Sequence, residues 1–256
     1  LASYWDFSGL DEDPQVIDSR LNSQWGWSVM LLPFLEQSTT YKALGVGQMT
    51  FEQAANDPQG LIALQTPISV FICPSDIGTG LNENRPFPQT PGGSMMVPEG
   101  TMFAKSNYMA CNGNQDSDGF FPSGGGRVAI KDVTDGLSNT IMVGERRSAD
   151  GFWAGIWAGQ EFSDEHLTNV WCLAGKTEYQ MNTGKHSRDP SGTEAEDRPL
   201  IAFSSEHTGG AIFLLGDGSA RFIRENIQWN DSPNDSNDVG LYHILGSIDE
   251  GEVIGE

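Results

Sequence analysis

Apolar residues come in short runs separated by turn-forming residues, and the periods of those runs predict a β-rich chain with few helices. The one long helical pattern covers 28–44. Met30, Phe34, Tyr41 and Leu44 fall on one stripe that predicts core packing, with Ser28 as its cap and Pro33 tolerated near its first turn. A second, shorter helix starts at Thr50, which pairs with Gln53 as a capping box, and Pro58 ends the segment. Ile-Ser-Val-Phe-Ile at 68–72 reads as a strand closed by Pro74, and further strands are predicted near 127–131 and at 140–145. Late in the chain, Ala-Ile-Phe-Leu-Leu at 211–215 and Ala-Arg-Phe-Ile at 220–223 flank Asp217-Gly218. That pattern predicts a hairpin whose two turn residues both take positive φ. A short helix at 241–245 is expected to stop at Gly246. Between these elements lie polar stretches at 1–24, 78–106, 182–199 and 230–238, none with a period. No repeat and no linker interrupts the pattern, so residues 1–256 read as a single domain with long excursions.

Composition narrows the classes of function. A formal net charge of -21 repels DNA and RNA, so a nucleic-acid partner is not expected, and anionic lipid is disfavoured too. The same surface suits solubility or a divalent cation. No apolar run reaches the ~18 residues of a membrane span. The chain begins with Leu1 rather than Met, which reads as a processed or trimmed terminus. Cys73, Cys111 and Cys172 follow no zinc spacing. Cys73 and Cys111 both adjoin turns and are the preferred pair for a disulfide. Three buried thiols is the competing reading.

Several stretches, in order, resemble the bacterial prepilin-type family with the C-terminal signature H-x9-D-G, known as a domain of unknown function. They are Trp25-Gly26-Trp27-Ser28 with Leu-Leu-Pro-Phe-Leu-Glu-Gln at 31–37; Phe71-Ile72-Cys73-Pro74-Ser75-Asp76; Ser106-Asn107-Tyr108; and Asp118-Gly119-Phe120-Phe121. Asp135-Gly136-Leu137-Ser138-Asn139-Thr140-Ile141 follows, with Val143-Gly144-Glu145-Arg146, Phe203-Ser204-Ser205 and a C-terminal Gly251-Glu252-Val253-Ile254-Gly255. His207 and Asp217 are separated by the nine residues of the signature.

The resemblance implies an α+β fold: a pilin-like head with an antiparallel sheet against an N-terminal helix, and long loops. It implies a structural pilin-like or pseudopilin-like subunit of a type IV pilus or type II secretion apparatus. Such a protein sits extracytoplasmically in the cell envelope, at the surface or in the periplasm. The leader and long apolar helix of such proteins are not in this sequence. Contact with other pilin-like subunits and with membrane is expected only through that helix, and the present chain is expected to be monomeric. The alternative is a surface module that binds glycan or peptide on Trp153, Trp157 and Trp171.

Few constellations point to chemistry. Asn114, Asp116 and Asp118 with Gly119 occupy positions 1, 3, 5 and 6 of a calcium loop, which makes calcium a candidate cofactor beside the competing reading of an Asp/Gly-rich turn. Gly125 stands where the bidentate Glu should be, so a remote carboxylate would have to complete the shell. Asp132, Asp135 and Glu145 form a second acidic group, read chiefly as turn residues. His207 and Asp217 lie at opposite ends of a strand, about 30 Å apart if extended, so they are read as a structural hydrogen-bonder and a turn residue. Ser204 and Ser205 lack a nucleophile elbow. Glu161 and Glu165 are read as solvated acids, and His166, His186 and His243 are scattered. No enzyme is expected.

Overall fold

The computed structural model describes residues 24–88, 97–114, 118–122, 127–149, 152–160, 172–183, 201–230 and 240–249. Among these residues the fold is α+β, as the resemblance implies. A five-stranded sheet has the order β5-β2-β3-β6-β7, formed by Tyr108–Cys111 (β2), Ile141–Glu145 (β3), Ala174–Gly175 (β5), Gly210–Leu215 (β6) and Ala220–Arg224 (β7). Its pairs are antiparallel except β2 with β5, which run parallel. Lys105–Ser106 (β1) and Gly155–Ile156 (β4) make a separate antiparallel pair.

Each face of the sheet is buried by a different end of the chain. Alternation along β2 turns Ala110 toward the N-terminal layer, where Trp25, Val29, Leu32, Leu44, Phe51 and Trp157 pack. It turns Met109 and Cys111 toward the other face, against Phe203, Phe213 and Tyr242. Tyr242 comes from the helix Leu241–Gly246 (α4), close to its predicted position, although Gly246 is its last residue and Ser247 the C-cap. At Gly144 in β3 a Cβ would lie 2.6 Å from Phe203 Cδ1 and from Phe213 Cε1. Gly144→Ala is therefore expected to destabilise the fold by about 1–3 kcal/mol, measured by urea denaturation.

Several elements differ from the pattern-based expectation. The stretch 28–44 is not one helix. Trp27–Phe34 is a 3₁₀ helix and Ser38–Ala43 a short α-helix (α1), with Glu36 at φ 59° between them. Pro33 inside the first segment cannot donate to an α ladder, and Ser28 does not cap: its hydroxyl donates to Trp157 O. The stripe is broken accordingly, with Leu44 fully buried and Phe34 83% exposed. Phe51–Asn56 (α2) carries the Thr50–Gln53 capping box as predicted, and Pro58–Gln65 (α3) follows immediately, so Pro58 starts a helix rather than only ending one.

The predicted strand at 68–72 is a 3₁₀ turn, Ser69–Phe71, whose Phe71 stacks on Trp157 at 6.0 Å. Near 127–131 there is a 3₁₀ turn, Ile130–Asp132, instead of a strand. Within the stretch 78–106, the described residues 78–88 and 97–106 pack on the chain's own core. Phe87 and Phe103 are buried against Phe51, and Leu81 and Phe87 bridge to Ala104 and Thr101.

The hairpin β6–β7 forms where predicted, but only Gly218 takes positive φ, at 85°. Gly218 N–H donates to Leu215 O and Leu215 N–H to Ser219 O. The turn is thus a three-residue loop closed by a left-handed glycine, not the two-residue type.

Candidate functional site

The turn that follows Phe71 brings Cys73 to the sheet, and a buried network holds it there. The Asp76 carboxylate accepts from Lys105 Nζ at 2.7 Å, Asn107 Nδ2 at 2.8 Å, Ser148 Oγ at 2.6 Å and Ser148 N–H at 2.9 Å. Burial opposes its charge, but the Lys105 ammonium and the Ser148 donors hold the carboxyl below the usual carboxylate range. Asn107 Oδ1 in turn accepts the Cys73 N–H at 3.0 Å. The Cys-Pro-Ser-Asp turn is thereby fastened to β1 and to the segment after β3.

Beside it, Arg146 is fully buried. Its guanidinium donates to Ala202 O, Ala174 O and Ile201 O at 2.8–2.9 Å, tying the end of β3 to β5 and to the segment before β6. Burial lowers its pKa well below the ordinary value.

The preceding residue of β3, Glu145, completes the site. Glu145 Oε2 accepts the Ile212 N–H at 2.7 Å, and Glu145 Oε1 lies 3.3 Å from His207 Nε2. Cys73 Sγ lies 3.6 Å from the same nitrogen. The donor atoms of Cys73, Glu145 and His207 all lie within 4.8 Å of one another, the one such convergence of three groups among the described residues. Cys73 and Glu145 are buried, while His207 is partly exposed and lines an open cavity of about 550 Å³ with Arg147, Asn182, Glu206 and Glu225. His207 is aimed by its own backbone: its N–H donates to Ser205 Oγ, and the Ser205 N–H donates to Asn182 Oδ1.

A Cys–His–Glu set invites comparison with a thiol nucleophile and its base. The geometry does not match one. Cys73 and Glu145 both approach the same imidazole nitrogen, whereas a base needs its orienting group on the other. Burial, then the Glu145 charge, also pushes the Cys73 thiol up, away from the reactive thiolate. Ser204 Oγ and Ser205 Oγ are occupied by the N–H groups of Arg147 and His207.

The remaining predicted residues fall elsewhere. The three cysteines are buried, and the preferred Cys73–Cys111 disulfide is not formed. Cys73 is turned to His207, while Cys111 Sγ reaches Gly246 O, and burial pushes its thiol up to about 12. Asp116 lies outside the described residues. Asp118 Oδ1 accepts the Asn114 N–H at 2.8 Å and fills the notch left by Gly113, at φ 113°. A thermal melt with and without millimolar Ca²⁺ tests calcium at this loop.

Asp132, Asp135 and Glu145 do not converge. Asp132 caps its own turn through the Ala129 N–H, and Glu145 points to His207. Asp217 holds the hairpin by accepting from Ser219 N–H and Oγ. Trp157 is buried and Trp153 is 38% exposed, so they form no shared platform for a sugar ring, and Trp171 lies outside the described residues. Glu161, Glu165, His166 and His186 do as well. His243 is buried in α4, near Trp229.

The Cys73–Glu145–His207 convergence was missed in the sequence because its members lie 72 and 62 residues apart (145 − 73 and 207 − 145). The one available signal was that Cys73, Glu145 and His207 each sit inside a separate motif of the resemblance.

No curated protein and no solved structure matches the chain. A family model described as "Protein of unknown function (DUF1559)" matches residues 6–230, most of the chain. Carrying the ordered motifs and the H-x9-D-G signature, the chain belongs to this family, which includes the prepilin-processing-associated H-X9-DG proteins.

Proposed function

We propose that this chain is the extracytoplasmic head of a pilin-like or pseudopilin-like subunit in a bacterial cell envelope, structural rather than catalytic. What supports the reading is how the signature residues are used. His207 joins β6 at its start to the buried Glu145 and Cys73, and Asp217 closes the turn at its end. The signature thus brackets one strand and fixes both of its ends, as a brace does. No described nucleophile is aligned with a free base, and the acidic surface keeps a displayed head soluble.

Among the described residues no helix is long and apolar enough to cross a membrane, so assembly in this reading depends on sequence outside them. The test is to express the full-length gene product in its native host with a photo-crosslinker on the exposed face of β7. Crosslinks to itself or to other pilin-like chains, in an envelope or sheared-filament fraction, support the proposal. Recovery as a cytosolic protein with no such crosslink contradicts it.

A further inference from the structure

From the geometry of Cys73, Glu145 and His207 we infer that these three side chains form a zinc site, with a fourth position open to the cavity beside His207. A tetrahedral Zn²⁺ with Zn–S about 2.3 Å and Zn–N or Zn–O about 2.0 Å separates sulfur from nitrogen by about 3.5 Å, and nitrogen from oxygen by about 3.3 Å. The observed Cys73 Sγ to His207 Nε2 distance is 3.6 Å, and His207 Nε2 to Glu145 Oε1 is 3.3 Å. The two acceptors crowding one imidazole nitrogen, which spoil a catalytic triad, are what three ligands of one ion look like. The donor set of thiolate, imidazole and carboxylate suits a borderline-soft ion and is wrong for calcium or magnesium, which take oxygen alone.

The surroundings are those of a held site. Glu145 is fixed by the Ile212 N–H on its other oxygen, and Cys73 by Asn107 through the Asp76 network. His207 is positioned through Ser205 and Asn182. Metal ligands need such outer partners to hold their orientation. The space among Cys73, Glu145 and Arg146 takes no water-sized body, while His207 borders the open cavity, so the ion and its fourth ligand, a water, enter from that side.

On binding, the Cys73 thiol gives its proton to solvent and the sulfur pair goes to zinc. His207 carries its proton on Nδ1 and binds through Nε2, and no electron is transferred. The ion would join the turn after Phe71, the end of β3 and the entry to β6 at one point. This inference is independent of the pilin-like reading.

The test uses the purified chain, stripped with chelator. Cobalt(II) serves first as a probe, because 35 acidic residues bind divalent ions weakly on any surface and only a thiolate ligand gives sulfur-to-cobalt charge transfer in the near ultraviolet. The expected result is one equivalent of cobalt with that band and intense tetrahedral d–d absorption, both displaced by one equivalent of zinc. Zinc binding should release about one proton at neutral pH. At free zinc about a hundred times Kd, the thermal midpoint should rise by roughly 5–10 °C. Cys73→Ser should abolish the charge-transfer band, and His207→Gln should weaken zinc by more than about 100-fold, while the metal-free midpoint falls only by the roughly 2–4 °C that loss of the His207–Glu145 contact costs. Binding without the thiolate band, binding that survives both substitutions, or no stoichiometric binding by the unmodified chain overturns the assignment.

Discussion

Replacing Asp76 with alanine is expected to destabilise the fold by about 3–5 kcal/mol, the cost typical of stranding one member of a buried ion pair. Lys105 and Asp76 are 3% and 2% exposed, so little water can reach the ammonium when the carboxylate is gone. The same change leaves Asn107 Nδ2 and both Ser148 donors without this acceptor. It also loosens Cys73, whose N–H depends on Asn107. Urea denaturation measures the loss. Removing both charges with Asp76→Leu and Lys105→Met should recover part of it, because a paired apolar replacement leaves no charge buried alone. A single-variant loss under about 1 kcal/mol would show that the Asp76 network does not clamp this turn.

Acidification is expected to have the second largest effect. Burial lowers the His243 pKa from 6.5 to about 4, with the Glu178 charge opposing weakly. The imidazole is fully buried, and the Trp229 ring packs edge-on at 6.0 Å. The unfolded chain therefore binds a proton that the folded chain refuses in the window between pH 6.5 and 4. Stability falls as pH drops through that window, by about 3 kcal/mol from this group alone. Asp76 acts lower: its depressed pKa contributes stability above the usual carboxylate value, and this is lost as pH falls below about 4. Denaturation midpoints of the parent and of His243→Leu, followed from pH 7 to 4, separate the two. The variant should be flat where the parent declines.

How much of this was legible in the sequence differs by element, for physical reasons. The β6–β7 hairpin, β3, α2 and α4 were read from local signals, because their apolar alternation, Asp-Gly turn and capping box act within a few residues. The helix over 28–44 failed because Pro33 and the positive φ at Glu36 broke a period that side-chain pattern alone suggested. The strand at 68–72 failed because Phe71 is buried by stacking on Trp157, a tertiary contact that makes a 3₁₀ turn as apolar as a strand.

The site was the least legible part. His207 reads from the sequence as a structural hydrogen-bonder, but its partners Cys73 and Glu145 come from two other motifs, and a sequence carries no distance between motifs. The turn beside Cys73 suggests a disulfide to Cys111, with buried thiols as the competing reading, and the thiols are the outcome. That turn delivers Cys73 to the sheet, where Asp76, four hydrogen bonds deep, fixes it in place.

The signature histidine, His207, acts as a brace coupled directly to Glu145 at the end of β3. A double-mutant cycle measures this in metal-free buffer, using Glu145→Gln, His207→Gln and the double variant, with unfolding free energies from urea. A coupling energy of about 1 kcal/mol or more is predicted, as contacting residues in one network give. Additive losses, with no coupling outside error, would contradict it.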